Sequence, residues 1–200
     1  MQKPSIFQKL QYNSPVILTF ALVSAAVLLA GTITNFESTR LLFCVYRSPW
    51  NDPLSYARLF LHVFGHSGFE HFANNMLMLL ILGPMVEERY GSKNMLLLIA
   101  ATAFVTGLAQ CILSPGRALL GASGIVFMLI FLASLAGMEK NRIPLTLILV
   151  AVIYFGQEIY SGIFSPSNVS HLTHILGGCC GIFLGIFLRR YTKLPQQRAF

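Results

Sequence analysis

Residues 171–186 read HLTHILGGCCGIFLGI, an apolar stretch in which Gly177, Gly181 and Gly185 follow one another at every fourth position. Residues four apart lie on the same face of an α-helix. The glycines therefore predict a strip along which a second helix can approach closely. His174 lies on the same face, three residues before the first glycine. The stretch predicts a tight helix pair with an imidazole beside the contact.

The composition of the chain indicates a membrane protein. Of its 200 residues, 55% are hydrophobic and 10% are charged, whereas soluble domains carry about 25% charged residues. Several apolar runs approach the roughly 20 residues that cross a bilayer. The predicted spans are about Val16–Ile33, His71–Met85 with an N-terminal extension back to Leu59, Met95–Leu113, Leu119–Gly137, Pro144–Ile163 and His171–Leu188. We predict an all-α, polytopic bundle of six transmembrane helices.

The chain is predicted to form one membrane domain, residues 16–188. A short N-terminal tail (residues 1–15) and a basic C-terminal tail (residues 189–200) flank it, and both are too short to build a core. Lys3 and Lys9 precede the first span, as in a cleaved signal peptide, but this apolar run is long and no clear cleavage site closes it.

The distribution of basic residues predicts the orientation. Ten of the fourteen Lys and Arg residues fall in the tails and in the second and fourth loops, which share one side of the membrane. The positive-inside rule places both termini in the cytoplasm. We expect the inner (plasma) membrane, because the form is minimal and organelle targeting is lacking. The formal charge is +7, and the basic residues behind it are scattered around apolar runs. We therefore predict the bilayer as a partner and expect no nucleic acid.

Polar side chains interrupt the apolar segments, where they are costly and often functional. They lie in residues 58–75, RLFLHVFGHSGFEHFANN, and at the start of the last span. The set comprises His62, His66, His71, Asn75, His171 and His174. His71 and Asn75 share a helix face, and such a pair can also serve only to join helices. His62 and His66 are typical of hydrogen-bonded structural histidines.

A serine lies between glycines in residues 118–127, ALLGASGIVF. The spacing differs from the Gly-x-Ser-x-Gly elbow of soluble hydrolases, so Ser123 is either a small packing residue or a nucleophile. Gly121 and Gly124 would let the last helix bring His174 to it as general base. The Ser123 amide at a helix start, with His71 and Asn75, could stabilise an oxyanion. No acidic residue is expected to orient His174, which predicts a dyad rather than a triad.

Together these motifs resemble the rhomboid family of intramembrane serine proteases. The resemblance rests on His66-x4-His71-x3-Asn75, on Gly-Ala-Ser-Gly at 121–124 and on His174-x2-Gly177-x3-Gly181, and it extends from about Arg58 to Leu188. It implies a six-helix bundle whose active site opens to a water-filled cavity on the extracytoplasmic side. It also implies Ser123 as nucleophile, His174 as base, and an oxyanion site formed by His71, Asn75 and the Ser123 amide.

The resemblance assigns supporting roles to further residues. These are His66, Arg58, Glu87, Arg89, Gly121, Gly124, Gly177 and Gly181. Ala57 stands where the family often has tryptophan, and Phe127 where it often has tyrosine. The implied substrates are transmembrane proteins, which would enter beside the fifth span under a lid near Glu158–Ser170.

The sequence is also compatible with two other functions. A non-catalytic binder of client transmembrane helices would not need Ser123, His174 and oxyanion donors together. A metal-dependent hydrolase could use His62 and His66, although the HExxH signature is absent. We expect neither a metal nor a cofactor, and the sequence predicts no oligomeric state.

Overall fold

The computed structural model describes residues 12–49, 51–135, 138, 142–164 and 171–191, and eight α-helices lie within them. The helices are α1 (Pro15–Ile33), α2 (Glu37–Leu42), α3 (Pro53–Leu61), α4 (Phe69–Tyr90), α5 (Ser92–Leu113), α6 (Ser123–Leu135), α7 (Leu145–Phe164) and α8 (His171–Tyr191). In this part of the chain, β-structure is limited to one isolated bridge between Val45 and Leu119. The predicted all-α class is confirmed.

Helix length and composition identify a multi-pass membrane protein. The helices α1, α5, α7 and α8 are long and apolar enough to cross a bilayer. Helix α6 is apolar but has only 13 residues. Helix α4 has 22 residues and carries Glu70 near one end and Glu87–Arg89 near the other. A helix thus corresponds to each predicted span, and the count of six crossings stays a prediction.

The predicted extension of the second span back to Leu59 is wrong. Residues 53–61 form the separate helix α3, followed by a 3-10 turn at His62–Phe64. Gly65 then lies so close to the Phe43 carbonyl that a Cβ atom would not fit. This close contact turns the chain before α4 begins.

Helix α6 begins at Ser123 rather than at the predicted Leu119. Leu119 exchanges two backbone hydrogen bonds with Val45, each of 2.8 Å. Gly121 has φ of +124°, a conformation that favours glycine, and its N–H donates to the His62 carbonyl over 3.0 Å. Leu119, Gly121 and Ala122 are buried. The first turn of α6 therefore starts inside the protein.

Helix α6 is the centre of the bundle, and α7 is attached to its edge. The buried side chains of α6 include Ile125, Met128 and Leu132, which lie in the main core cluster. On α7, by contrast, only Leu147 and Glu158 are buried. An element with so few buried residues separates from its neighbours at low free-energy cost.

A buried arginine orders the long connection between α1 and α4. Arg58 donates from Nε to the Leu41 carbonyl (2.8 Å) and forms an ion pair with Asp52 (3.1 Å). Its guanidinium also lies 4.7 Å from the centre of the Tyr46 ring, within the range of a cation–π contact. Arg58 therefore holds three parts of this connection together.

Glu87 joins three helices at the predicted cytoplasmic end. Its carboxylate accepts hydrogen bonds from the N–H groups of Val16 (3.1 Å) and Ile17 (3.0 Å) and from Ser92 Oγ (2.7 Å). The N–H groups at the start of α1 have no partner within the helix, and a carboxylate complements their partial positive charge. Nearby, Arg89 Nε is buried and makes no hydrogen bond within the described residues.

We expect Glu87→Gln to lower the free energy of unfolding by about 1–3 kcal/mol, because an amide donor would then face backbone donors. Thermal unfolding in detergent measures the change. Glu88→Gln, at the exposed neighbouring position, is the matched control and should leave the melting temperature unchanged. Equal melting temperatures for the two variants would contradict this role of Glu87.

Candidate active site

The glycine strip of α8 packs directly against α6. Gly177 faces the Gly124 carbonyl so closely that a side chain would not fit there. One turn further on, a Cβ atom at Gly181 would lie 2.5 Å from the Met128 carbonyl oxygen. The two backbones are therefore in contact along this crossing, and α8 has a fixed position relative to α6.

This crossing brings His174 beside the first turn of α6. The His174 ring stacks on Phe127, with ring centres 4.4 Å apart and an angle of 9° between the planes. Phe127 lies one helical turn after Ser123, and both are half-buried on one face of α6. The imidazole therefore lies against the face of α6 that carries Ser123. Within the described part of the chain, however, the polar contact of the His174 ring is with Glu158 rather than with Ser123.

The expectation that no acidic residue reaches His174 is wrong. Glu158 Oε1 lies 3.0 Å from His174 Nδ1, and Glu158 Oε2 lies 2.7 Å from His171 Nδ1. The predicted lid begins near Glu158, but α7 continues as a helix through Phe164. The rest of that lid, residues 165–170, lies outside the described residues.

The spacing of residues along α7 indicates that Glu158 lies on the face that packs against the bundle. Leu147, Tyr154 and Glu158 are separated by seven and four residues, so they share one helix face. Leu147 is buried, and the Tyr154 ring packs edge-on to Phe127 at 5.5 Å. The face that packs on the bundle therefore also carries the carboxylate.

His71 and Asn75 face the backbone that precedes Ser123. A Cβ atom at Gly121 would lie 2.8 Å from His71 Nε2 and 3.7 Å from Asn75 Nδ2. Asn75 Nδ2 is buried and has no hydrogen-bond partner within the described residues. The Ser123 N–H is in the first turn of α6, where amides lack an intrahelical acceptor. Side-chain nitrogens of α4 thus lie beside the backbone that leads into the first turn of α6.

An open cavity of about 440 Å³ lies beside His71. It is lined by Ser67, Gly68, Phe69, Glu70, His71 and Asn74. Ser67 Oγ lies 3.1 Å from His71 Nδ1, which leaves Nε2 on the side of Gly121. The imidazole therefore lies between an open cavity and the backbone before Ser123.

His62 and His66 are fully buried in the connection between α3 and α4. His62 contacts the Arg58 carbonyl (3.2 Å) and Thr106 Oγ1 (3.4 Å). The His66 ring contacts the Phe64 carbonyl (3.1 Å) and lies edge-on to His71, with 5.1 Å between ring centres. Burial lowers the pKa of each histidine to about 4, and for His66 the nearby His71 adds to the effect. Both are therefore neutral near pH 7.

No group of three His, Cys, Asp or Glu side chains suited to hold a metal ion occurs in the described ranges. His62 and His66 instead make separate contacts with backbone and hydroxyl groups.

We expect Gly177→Ala to lower the stability of the protein by about 1–3 kcal/mol, because the added methyl group would force α8 away from α6. Gly156→Ala on α7 is the matched control, since a Cβ atom there has open space around it. Alanine favours the helix at such a position by about 1 kcal/mol. A melting temperature in detergent that falls equally in both variants would contradict the close crossing.

The two buried histidines predict acid-sensitive folding. An unfolded histidine takes up a proton below its ordinary pKa of 6.5, whereas folded His62 stays neutral down to about pH 4. Stability is therefore fully present above pH 6.5 and is lost as the pH falls towards 4. We expect a loss of about 2 kcal/mol per histidine between pH 7.5 and pH 5.

Unfolding in mixed micelles at these two pH values measures this dependence. His62→Gln should be less stable at pH 7.5 but should lose less on acidification, because one titrating group is gone. A variant that loses as much as the wild type between the two pH values would exclude His62 as a cause.

The chain is similar in sequence to a known family and to several known proteins. The family model described as "Rhomboid domain" matches residues 53–191, more than half of the chain. The chain is 29% identical to Rhomboid-related protein 2 of Mus musculus over 140 residues, which is 64% of this chain and 46% of that protein. It is 26% identical to the putative rhomboid protease YdcA of Bacillus subtilis (strain 168) over 136 residues, 64% of each chain.

A further relative is the rhomboid protease GluP of Bacillus subtilis (strain 168), 32% identical over 148 residues, 72% of this chain and 27% of that protein. The matches thus span between 27% and 64% of the length of these relatives. The matched region begins at α3 and includes all of the residues brought together around Ser123. The chain belongs to the rhomboid family.

Proposed function

We propose that this protein is an intramembrane serine endopeptidase that cleaves transmembrane or juxtamembrane segments of membrane proteins through Ser123 and His174. The observation that carries the proposal is the α6–α8 crossing, which stacks His174 on Phe127 one turn from Ser123. Two of the relatives are themselves named rhomboid proteases. The coincidence of nucleophile, base and oxyanion donors at one helix start is what peptide hydrolysis needs.

The reaction follows from these positions. Ser123 Oγ attacks the scissile carbonyl while His174 Nε2 takes its proton. The negative charge that develops on the carbonyl oxygen is stabilised by the Ser123 N–H and by the side chains of His71 and Asn75. His174 then gives the proton to the leaving amine, and a water molecule, activated by the same imidazole, releases the acyl group from Ser123.

Access from the bilayer is proposed to occur beside α7. This helix has only two buried residues, Leu147 and Glu158, so it can be displaced more easily than the others. A substrate helix must also unwind locally, because its carbonyl groups are hydrogen-bonded within the helix. Water for the reaction would come from the open cavity beside His71.

The proposed location is the inner (plasma) membrane with both termini in the cytoplasm. It rests on the excess of Lys and Arg in the tails and in the second and fourth loops. The charges of Glu87 and Arg89 would then lie at the cytoplasmic end, and Ser123 would be nearer the extracytoplasmic side. The proposed partners are transmembrane substrates and the bilayer.

We expect wild-type protein in liposomes to cleave a tagged single-span substrate, and Ser123→Ala and His174→Ala to lose at least about 1,000-fold in rate. Asn75→Ala should lose about 10–1,000-fold through the missing oxyanion donor. Ser134→Ala is the matched control, because this hydroxyl lies in α6 but donates to the Ile130 carbonyl. Gel detection of the two fragments measures the rates.

Parallel samples with a chelator complete the test. Cleavage should be unaffected by the chelator. Loss of activity in the samples with chelator would favour a metal-dependent hydrolase in which the histidines are metal ligands. Activity that persists in Ser123→Ala would overturn the serine mechanism. Stable binding of the substrate without cleavage by the wild type would favour the non-catalytic binder.

A further inference from the structure

Glu158 is an unusual residue on α7. Large apolar side chains on this helix are exposed, among them Val152, Ile153, Ile159 and Ile163, as expected of a helix that faces lipid. Glu158 is a buried exception, with 9% of its surface accessible. A carboxylate in the apolar part of a membrane protein is costly unless it is paired. Its partners should therefore explain why it is there.

The two carboxylate oxygens of Glu158 are directed at two histidines of α8. Oε2 lies 2.7 Å from His171 Nδ1, and Oε1 lies 3.0 Å from His174 Nδ1. His171 and His174 are three residues apart and so project from adjacent positions on the first turn of α8. One side chain of α7 thus contacts both rings at the start of α8.

The contact with His174 is close but not aligned. Nδ1 of His174 is buried and forms no hydrogen bond of good geometry within the described residues, although Oε1 is 3.0 Å away. Hydrogen bonds of active sites are often misaligned in the free enzyme and tighten in the complex with substrate. A small rotation of the carboxylate would complete this one.

We propose that Glu158 is a positioning residue, which holds the His174 ring with a proton on Nδ1 and leaves Nε2 directed at Ser123. The inference rests on the proposed function and adds a third member to its dyad. When Nε2 accepts the proton from Ser123 Oγ, the ring becomes positive while the Nδ1 proton stays on the ring. Glu158 remains a carboxylate and stabilises that positive charge. The Nε2 proton then passes to the leaving amine.

The location of Glu158 on α7 gives this role a second consequence. Helix α7 is the element proposed to move when a substrate enters, and Glu158 is its polar link to His171 and His174. Displacement of α7 would change the orientation of the His174 ring. The base is then correctly oriented only when α7 has returned to its position beside α8.

Histidine NMR of the whole protein in micelles tests the contact without any need for protease activity. With uniform ¹⁵N-histidine labelling, His174→Asn identifies the resonances of His174. We expect a proton on Nδ1 in the wild type, and a change in its resonance and tautomer in Glu158→Gln. Gln157→Ala, at the exposed neighbouring position of α7, should leave the resonances unchanged. Identical His174 resonances in the wild type and Glu158→Gln would overturn the proposal.

Kinetics of cleavage test the consequence for the reaction. We expect Glu158→Gln to lower kcat about 10–100-fold with KM within about twofold of the wild type, and Glu158→Asp to recover part of the loss. A change in KM alone would overturn the positioning role and assign Glu158 only to the packing of α7. If Glu158→Gln does not fold, Glu158→Asp is used in both measurements, with smaller changes of the same sign expected.

The two measurements separate this proposal from the proposed function. If the wild type cleaves no substrate but its His174 resonances depend on Glu158, the result would contradict the proposed protease function and support the contact between Glu158 and His174. If the wild type cleaves its substrate and Glu158→Gln has the same kcat, the result would contradict the positioning role of Glu158 and support the proposed protease function.

Discussion

The backbone contact between α6 and α8 is the constraint on which the site depends. Lipid chains are as apolar as leucine, so helices in a bilayer associate through close packing rather than through burial of apolar surface from water. Gly177 and Gly181 provide that packing by admitting the carbonyls of Gly124 and Met128. These contacts fix the distance of His174 from the first turn of α6, because the backbones of α6 and α8 touch directly.

A second constraint fixes where α6 begins. Its N-terminal turn is preceded by buried backbone that is hydrogen-bonded to Val45 and to the His62 carbonyl. The connection between α1 and α4, ordered by Arg58, therefore sets the position of Ser123 within the protein. The first N–H groups of a helix have no partner within the helix. Because this helix start is buried, its N–H groups lie close to His71 and Asn75 instead of facing solvent.

The sequence predicts those features that depend on local periodicity. The ends of α1, α5, α7 and α8 fall within three residues of the predicted ones, since each is a long and largely apolar run. The break before α4, the late start of α6 and the contact of Glu158 with His174 depend on partners distant in the chain, such as Phe43 against Gly65. Periodicity within one helix does not relate the two members of such a pair, and the spacing of α7 indicates only that Glu158 lies on its packed face.

The clustering of polar groups around Ser123 has a physical cause that is independent of any reaction. Lipid solvates neither carboxylates nor imidazoles nor amides, so such groups in the bundle are favoured where other polar groups of the protein lie nearby. Polar groups of four different helices lie near this place: His71 on α4, Ser123 on α6, Glu158 on α7 and His174 on α8. Convergence in a medium of low dielectric also strengthens every electrostatic interaction among them. The cost of burying polar side chains thus favours the grouping that the proposed chemistry needs, and Glu158 lies on α7, the helix with few buried residues that is proposed to move.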